Sequence, residues 1–326
     1  MRPFEYFRPS SLADAAQLGA VSGAKYIAGG TNLVDLMKLG VEQPDRVVDL
    51  RDVLEQEIQE LEDGSIRIGA GVRNTDLASH PLIRRQYPAM SRAIVAGASG
   101  QIRNVATTGG NLLQRTRCVY FQDVSRPCNK RAPGTGCPAL ESGGLSRGLA
   151  IFRTSEECIA THPSDLAVAL VAFDAELALW RDGQERRLPL EQLYTSQESA
   201  PGRETILEPG EIITAVHLPA PVDGRRSHYV KVRDRASFAF SLVSVAAAVE
   251  LDGDTVRGVR IALGGVASRP WRARSAEQAI QGAPATSANF SRAIRDELTT
   301  AVPTADNRFK LALAHNLVVS TLEELI

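Results

Sequence analysis

The sequence contains no cysteine outside residues 118–158, and it has almost no net charge. The formal charge of −1 gives no sign of a nucleic-acid or anionic-membrane partner. No apolar run is long enough to span a bilayer, since the best candidates, residues 166–173 and 243–249, each end at a charged residue. These absences count against nucleic-acid-binding and membrane proteins, and they favour a globular chain large enough for two or more domains.

Two further absences concern export and catalysis. Residues 1–6 lack the apolar segment of a secretory signal, so the sequence predicts a cytoplasmic protein; export to the periplasm with a signal-bearing partner is the alternative. The sequence also has no HExxH motif and no serine–histidine–acid arrangement, and its five histidines are dispersed. We therefore expect no catalytic residues for substrate chemistry in this chain.

Local patterns predict an α+β protein in three parts, with a change of composition near residues 219–221. A hairpin is expected at residues 252–254, and residues 105–113 are rich in turn formers. Strands are predicted at residues 24–28, 47–50, 66–68, 176–180, 229–233, 243–250 and 256–263. Helices are predicted at residues 33–39, 76–98 with breaks at Pro81 and Pro88, 164–173 with Ser164 as cap, 275–281, 291–299 and 309–322.

Two glycine loops are suited to a diphosphate. Residues 28–33 follow a predicted strand and precede a helix, and residues 107–111 again combine threonine, glycine and asparagine. Glycine lets the backbone approach a ligand, and successive N–H groups can bind phosphate oxygens. Each loop alone is more often an ordinary tight turn, and neither is a GxGxxG fingerprint. The pair favours a dinucleotide between them. Asp165, at a predicted helix start, could bind ribose hydroxyls or simply complement the helix dipole.

The four cysteines fall in a segment, residues 114–160, with little apolar periodicity and much glycine, proline and arginine. A segment this long without regular structure is unusual in a compact domain unless it is functional or cross-linked. Four thiolates suffice for a four-iron cluster or a tetrahedral zinc site. The spacing lacks the short knuckle typical of structural zinc, but zinc and two disulfides stay open. Inert buried thiols are a poor reading, because the segment is too polar for a core.

Residues 26–33 with Met37 and Lys38, together with residues 103–111, resemble the flavoprotein subunit of molybdenum hydroxylases. That family includes xanthine dehydrogenase, carbon monoxide dehydrogenase and aldehyde oxidoreductases. The resemblance spans essentially the whole chain, including residues 261–266. It implies a vanillyl-alcohol-oxidase-like (PCMH-type) FAD-binding fold over residues 1–220, with subdomains of about 1–57 and 58–220. A C-terminal α+β domain of the carbon monoxide dehydrogenase flavoprotein type would cover residues 221–326.

The resemblance also implies a set of FAD-binding residues. The first loop would hold the pyrophosphate through backbone amides, and the second loop would wrap the other side of the diphosphate and the flavin. An apolar side chain and a strand lysine would lie near the ring, with an acid near the cofactor. The lysine would stabilise the reduced flavin; the alternative for this lysine is a solvated strand charge. The implied residues are Ala28, Gly29, Gly30, Thr31, Asn32, Leu33, Ile102, Thr108, Gly109, Asn111, Asp165 and Lys231.

The cysteine segment, an insertion at about residues 114–160, departs from most of the family. It resembles the insertion that binds an extra [4Fe-4S] cluster in the flavin subunits of 4-hydroxybenzoyl-CoA reductase and of a periplasmic aldehyde oxidoreductase of bacteria, and it looks closer to the latter. This implies Cys118, Cys128, Cys137 and Cys158 as cluster ligands.

The function implied is electron transfer within a heterotrimeric molybdenum hydroxylase, expected to be an aldehyde oxidoreductase. A large partner would carry the molybdenum cofactor and a small partner the [2Fe-2S] clusters, from which electrons would pass through FAD to an external acceptor. The alternatives are a flavin subunit of a xanthine dehydrogenase or of a 4-hydroxybenzoyl-CoA reductase-like enzyme, a zinc-stabilised scaffold subunit, or a self-contained FAD oxidase of the same fold.

Overall fold

The computed structural model describes residues 1–152, 155–195 and 200–326, and these residues form three sheets. The first sheet is parallel and lies at the N-terminus. Its strands are β1 (Glu5–Phe7), β2 (Ala24–Ile27) and β3 (Arg46–Asp49), in the order β1-β3-β2. Helices α1 (Leu12–Gly19) and α2 (Leu33–Lys38) provide the crossovers that parallel strands require. Loop 1, residues 28–32, therefore leaves the carboxyl end of β2 and leads into α2.

The second sheet is antiparallel and has the order β4-β5-β8-β6-β7. Asp182 and Gly183, both with positive φ, make the β6–β7 turn that their sequence predicts. Between β5 and β6 the chain forms a series of helices, two of which begin at Pro81 and Pro88, where a missing N–H costs nothing. The elements are β4 (Ile58–Glu60), β5 (Ile66–Gly69), α3 (Asn74–Ser79), α4 (Pro81–Gln86), α5 (Pro88–Ala96), α6 (Gly100–Arg103), α7 (Thr108–Leu112), α8 (Val119–Gln122), α9 (Asp165–Ala172), β6 (Glu176–Arg181), β7 (Gln184–Pro189) and β8 (Ile212–Leu218).

The third sheet is antiparallel in the order β12-β11-β10-β9 and is covered on one face by C-terminal helices. Its strands are β9 (Arg226–Val232), β10 (Val243–Asp252), β11 (Thr255–Gly264) and β12 (Trp271–Arg272). The helices are α10 (Arg274–Ile280), α11 (Ser287–Leu298) and α12 (Phe309–Glu323). The other face of β10 and β11 packs on α9, all of whose residues are buried, so this helix joins the second and third sheets in one core.

Most predicted elements are confirmed, with two kinds of difference. Residues 108–112 form the short helix α7 rather than a plain turn, because Thr107 accepts a hydrogen bond from Gly110 N–H and caps it. Strand β8 and helix α1 were missed, although β8 is the central strand of its sheet. The described part of residues 114–160 contains no strand, in agreement with its lack of periodicity. Among the described residues, no helix is long and apolar enough to cross a membrane.

Candidate functional site

Loop 1 lies directly against the segment that leads into α7. A Cβ atom on Gly29 would come within 2.3 Å of the backbone oxygen of Val105, so only glycine permits this contact. Gly30 has φ +71°, which turns the chain into α2. Within the described residues, no hydrogen bond uses the backbone N–H groups of residues 29–32 as donors. Successive free N–H groups at the start of a helix favour an anion.

Loop 2, residues 107–111, is bound differently. The N–H and the hydroxyl of Thr108 both donate to Val72 O, at 2.8 and 3.0 Å, and Gly109 N–H donates to Ala70 O at 2.9 Å. Thr107 O accepts from Asn111 N–H at 2.8 Å. The backbone donors of residues 108–111 are thus used inside the protein, so these residues supply shape and side chains rather than free amides.

Two adjoining cavities meet at these loops. The larger, of about 1100 Å³, extends to α5, α6, the start of α9, β9 and the β9–β10 connection. The smaller, of about 160 Å³, lies between loop 1, Leu50, Leu54 and the start of β8. Gly29, Gly30, Thr31, Asn32 and Gly110 line both. A ligand with two ends and a charged middle would fit with its middle on loop 1. The larger cavity is slightly above the usual size range of ligand pockets.

An ion pair is buried in the wall of the larger cavity. Asp165, the first residue of α9, accepts from Lys231 Nζ at 2.7 Å and from Tyr229 OH at 2.5 Å. The side chain of Lys231 is only 3% exposed and also donates to Ala96 O at 3.3 Å. Burial, and then the charge of Asp165, raise the pKa of Tyr229 well above its usual value. The tertiary structure thus joins two residues that the sequence suggested separately, and Lys231 is not a solvated strand charge.

The predicted cofactor residues divide between the cavities. The larger is lined by Ile102, Asn111, Asp165 and Lys231, and the smaller by Ala28, Leu33 and Gly109. Thr108 lines neither cavity, being fully buried with its hydroxyl on Val72 O. Their roles toward FAD stay predictions.

Two amides in the cavity wall have polar atoms without partners. Asn32 Oδ1 accepts from Arg115 N–H at 3.0 Å, but its Nδ2 is buried without a hydrogen bond. Asn74, only 3% exposed, has an unpartnered Oδ1. A buried polar atom without a partner is costly, so both atoms fit a cavity that holds a polar ligand.

Sequence reasoning missed several residues of the larger cavity. Asn74 gave no signal, because an asparagine at a helix start is ordinary. The β9–β10 connection could have been noticed, since Phe238 and Phe240 interrupt a polar stretch. Both phenylalanines are about half exposed, and Phe240 lies under the guanidinium of Arg117 at 5.2 Å. Arg117 also pairs with Asp35 at 2.8 Å.

His162 connects loop 2 to the start of α9. Its Nε2 lies 3.3 Å from Leu112 O, and its ring packs against Tyr194. Burial lowers the pKa of His162 to about 4, so the imidazole is neutral at ordinary pH. His162 thus packs as a neutral ring between α7 and Tyr194.

The four cysteines are free and gather in one apolar cluster. Cys118, Cys128 and Cys158 are buried members of this cluster, and Cys137 packs against it. Burial raises the pKa of Cys118 to about 11, and it also raises the pKa of Cys137 and Cys158, to which neighbouring cysteines add. No three His, Cys, Asp or Glu side chains in the described ranges converge as around a single metal ion. A cluster that gives each thiolate a different iron does not require such convergence.

A largely buried ion network holds the cysteine segment in place. Arg115 pairs with Glu42 after α2 and with Glu204 before β8, each at 2.5 Å. Lys130, 3% exposed, lies 3.2 Å from the other oxygen of Glu204. These cations lower the pKa of Glu204 despite its burial. The segment is therefore fixed to both the first and second sheet regions.

Comparison with known proteins supports the same assignment. A family profile for the FAD-binding domain in molybdopterin dehydrogenase matches residues 2–221, and one for the CO dehydrogenase flavoprotein C-terminal domain matches residues 228–325. The chain belongs to the FAD-binding subunits of molybdenum hydroxylases. It is thus a subunit of an oxidoreductase, and the expected fold class is confirmed.

Individual relatives agree with this family. The chain is 51% identical to the aldehyde oxidoreductase FAD-binding subunit PaoB of Escherichia coli (strain K12), covering 99% of this chain and 98% of that one. It is 27% identical to the putative xanthine dehydrogenase FAD-binding subunit XdhB of the same strain, covering 98% and 95%. In structure it is similar to the carbon monoxide dehydrogenase of Hydrogenophaga pseudoflava, with a TM-score of 0.77 and 25% identity over 99% and 98% of the chains.

Proposed function

We propose that this chain is the FAD- and [4Fe-4S]-containing electron-transfer subunit of an aldehyde oxidoreductase. Its partners would be a large subunit with the molybdenum cofactor and a small subunit with [2Fe-2S] clusters. The aldehyde assignment is supported by the 51% identity to an aldehyde oxidoreductase subunit, against 27% to a xanthine dehydrogenase subunit. The compartment stays a prediction.

The proposed FAD placement follows from the free donors of loop 1. The N–H groups of residues 29–32 and Nδ2 of Asn32 would bind the diphosphate oxygens, because they are unpartnered donors at the place where the two cavities meet. The larger cavity, with Ile102 and Lys231 in its wall, would take the flavin ring. The smaller cavity, lined by Ile27, Leu50 and Ile213, would take the adenosine end.

FAD when bound can accept single electrons from clusters and pass two to an acceptor. The chain's own contribution is to orient the cofactor and to set the charge around it. Asp165 holds Lys231 buried, so the ammonium group stays in the cavity wall rather than in solvent. A fixed cation there stabilises negative charge that develops on the bound group.

The cluster proposal is supported by the gathering of all four cysteines. They are free, they share one apolar cluster, and they carry no disulfide within the described residues. The same segment reaches the larger cavity, since Gln114, Arg117 and Gln122 line it on either side of Cys118. An iron centre would lie in a segment that forms part of the wall of the proposed flavin site. Thiolate ligation would also stabilise the thiolate form against the burial that favours the thiol.

Iron, acid-labile sulfide, zinc and FAD should be measured in the complex and in this chain alone, purified without oxygen. About four irons and four sulfides per FAD on this chain are expected. Cys118→Ser should lower the iron content while FAD stays bound. Zinc in place of iron would support a scaffold site and refute the cluster, whereas protein without FAD would refute the flavin placement.

A further inference from the structure

Asn74 lies at the first position of α3, where its backbone meets the start of loop 2. Its N–H donates to Ala106 O at 2.9 Å, and Arg73 forms an isolated bridge with Thr107. Asn74 is only 3% exposed and lies in the wall of the larger cavity. The backbone is thus fixed against loop 2, and the amide is held at the cavity.

The side-chain oxygen of Asn74 is the acceptor counterpart of Asn32 Nδ2. Both atoms are buried without a partner, and both residues line the larger cavity. The enclosed atom of Asn32 is a donor, which suits a phosphate oxygen, whereas the enclosed atom of Asn74 is an acceptor, which a phosphate oxygen does not satisfy. A ligand that satisfies both atoms presents a hydroxyl or N–H in addition to its anionic group.

We infer that Asn74 is a cofactor-positioning residue whose Oδ1 accepts a hydrogen bond from a ribityl hydroxyl of FAD. This rests on the proposed FAD placement. Asn74 lines only the larger cavity, which is assigned to the flavin, and shares it with the loop 1 residues assigned to the diphosphate. The hydroxylated chain between phosphate and ring is the part of FAD that offers a donor between these two places. The adenosine ribose lies toward the other cavity.

Asn74→Leu tests this in the full chain, because leucine keeps the volume and removes the unpartnered oxygen. FAD affinity of apoprotein, measured by flavin fluorescence, should fall about 3- to 10-fold, the worth of one hydrogen bond. The melting temperature of the apoprotein should stay level or rise, since a buried unpartnered oxygen is removed. Asn74→Ala should weaken FAD binding similarly. This second variant separates the loss of the oxygen from any steric effect of the leucine side chain.

Asn307→Leu is the matched control. Asn307 is also fully buried, but its Nδ2 donates to Ser146 O, Leu149 O and Ala150 O, and its Oδ1 accepts from Thr304 N–H. It lines neither cavity. Its replacement should lower the apoprotein melting temperature and leave FAD affinity unchanged. A purely structural Asn74 would behave like Asn307, and that result would overturn the inference.

Fragments of the cofactor locate the contact. Asn74→Leu should weaken FMN binding and leave ADP binding unchanged, because only FMN contains the ribityl chain. Weaker ADP binding with normal FMN binding would overturn the ribityl assignment. Wild-type protein that binds no FAD would refute the proposed placement itself, whereas equal FAD affinity of wild type and variant would refute only the role of Asn74.

Discussion

At the scale of single residues, the two buried charged side chains in the wall of the larger cavity, Asp165 and Lys231, form an ion pair. Asp165 receives Lys231 and Tyr229, so its carboxylate is neutralised and hydrogen-bonded on both oxygens. The sequence offered Asp165 as a ribose ligand or a helix-dipole acid, and the contacts show a third arrangement. An isolated charge in this wall would be costly, whereas pairing offsets part of the cost of burying the two groups.

Removing one charge at a time should move the flavin reduction potential in opposite directions. Asp165→Asn leaves Lys231 uncompensated and should raise the potential, because a cation favours the reduced, more negative cofactor. Lys231→Met should lower it. Shifts of tens of millivolts are expected, since about 30 mV corresponds to about 1.4 kcal/mol for two electrons. Redox titration followed by flavin absorbance measures them, with Lys231→Arg as the charge-preserving control. Shifts of the same sign would contradict this electrostatic role.

At the scale of elements, the site depends on the close approach of loop 1 to the residues before α7. Gly29→Ala would place a methyl group 2.3 Å from Val105 O, and a backbone atom cannot move aside as a side chain can. The loops should separate, with FAD affinity falling at least tenfold and stability by about 1 to 3 kcal/mol. Fluorescence titration and thermal melting measure the two effects. Gly148→Ala, with open space around it, should change neither. Normal FAD binding by Gly29→Ala would show that the contact does not shape the site.

Several elements could be predicted because their information is local. The apolar run that follows Asp165 in α9, with Ser164 as the helix cap, can be predicted from the sequence, and so can the hairpin of β10 and β11. Strand β8 was missed because its partners, β5 and β6, come from distant parts of the chain and its burial depends on them. Its residues are buried on both faces, so it shows no alternation.

At the scale of the whole molecule, the C-terminal region binds residues 146–149 of the cysteine segment. Lys310 of α12 is fully buried and donates to Leu149 O at 2.8 Å and Gly265 O at 2.7 Å. Asp306 accepts from the N–H groups of Ser146 and Arg147. Burial lowers the pKa of Lys310 to about 7, and a neutral amine has two N–H groups for the two carbonyls. The cysteine segment is thus bound by Glu42 after α2, by Glu204 before β8 and by the C-terminal region.

Lys310 should make stability rise with pH. Its pKa is about 7 when folded and about 10.5 when unfolded, so above pH 7 the unfolded chain binds more protons. Between pH 7 and 8.5 the free energy of unfolding should increase by about 1 to 2 kcal/mol from this group. Urea denaturation measures this, and the slope should be smaller by that amount in Lys310→Met. Lys25→Met, at a half-exposed ion pair, should keep the wild-type slope. An unchanged slope in Lys310→Met would show that Lys310 is charged in the folded state.

The sequence by itself determined the features that depend on neighbouring residues. These are the α+β class, both glycine loops, the confinement of the cysteines to one segment, and the resemblance that indicated the family. Only the tertiary structure decided which polar groups meet. It paired Asp165 with Lys231 across 66 positions, used the donors of Thr108 internally, and left Asn32 and Asn74 with unpartnered atoms at one cavity. Such contacts depend on how distant elements pack, and no local pattern records them.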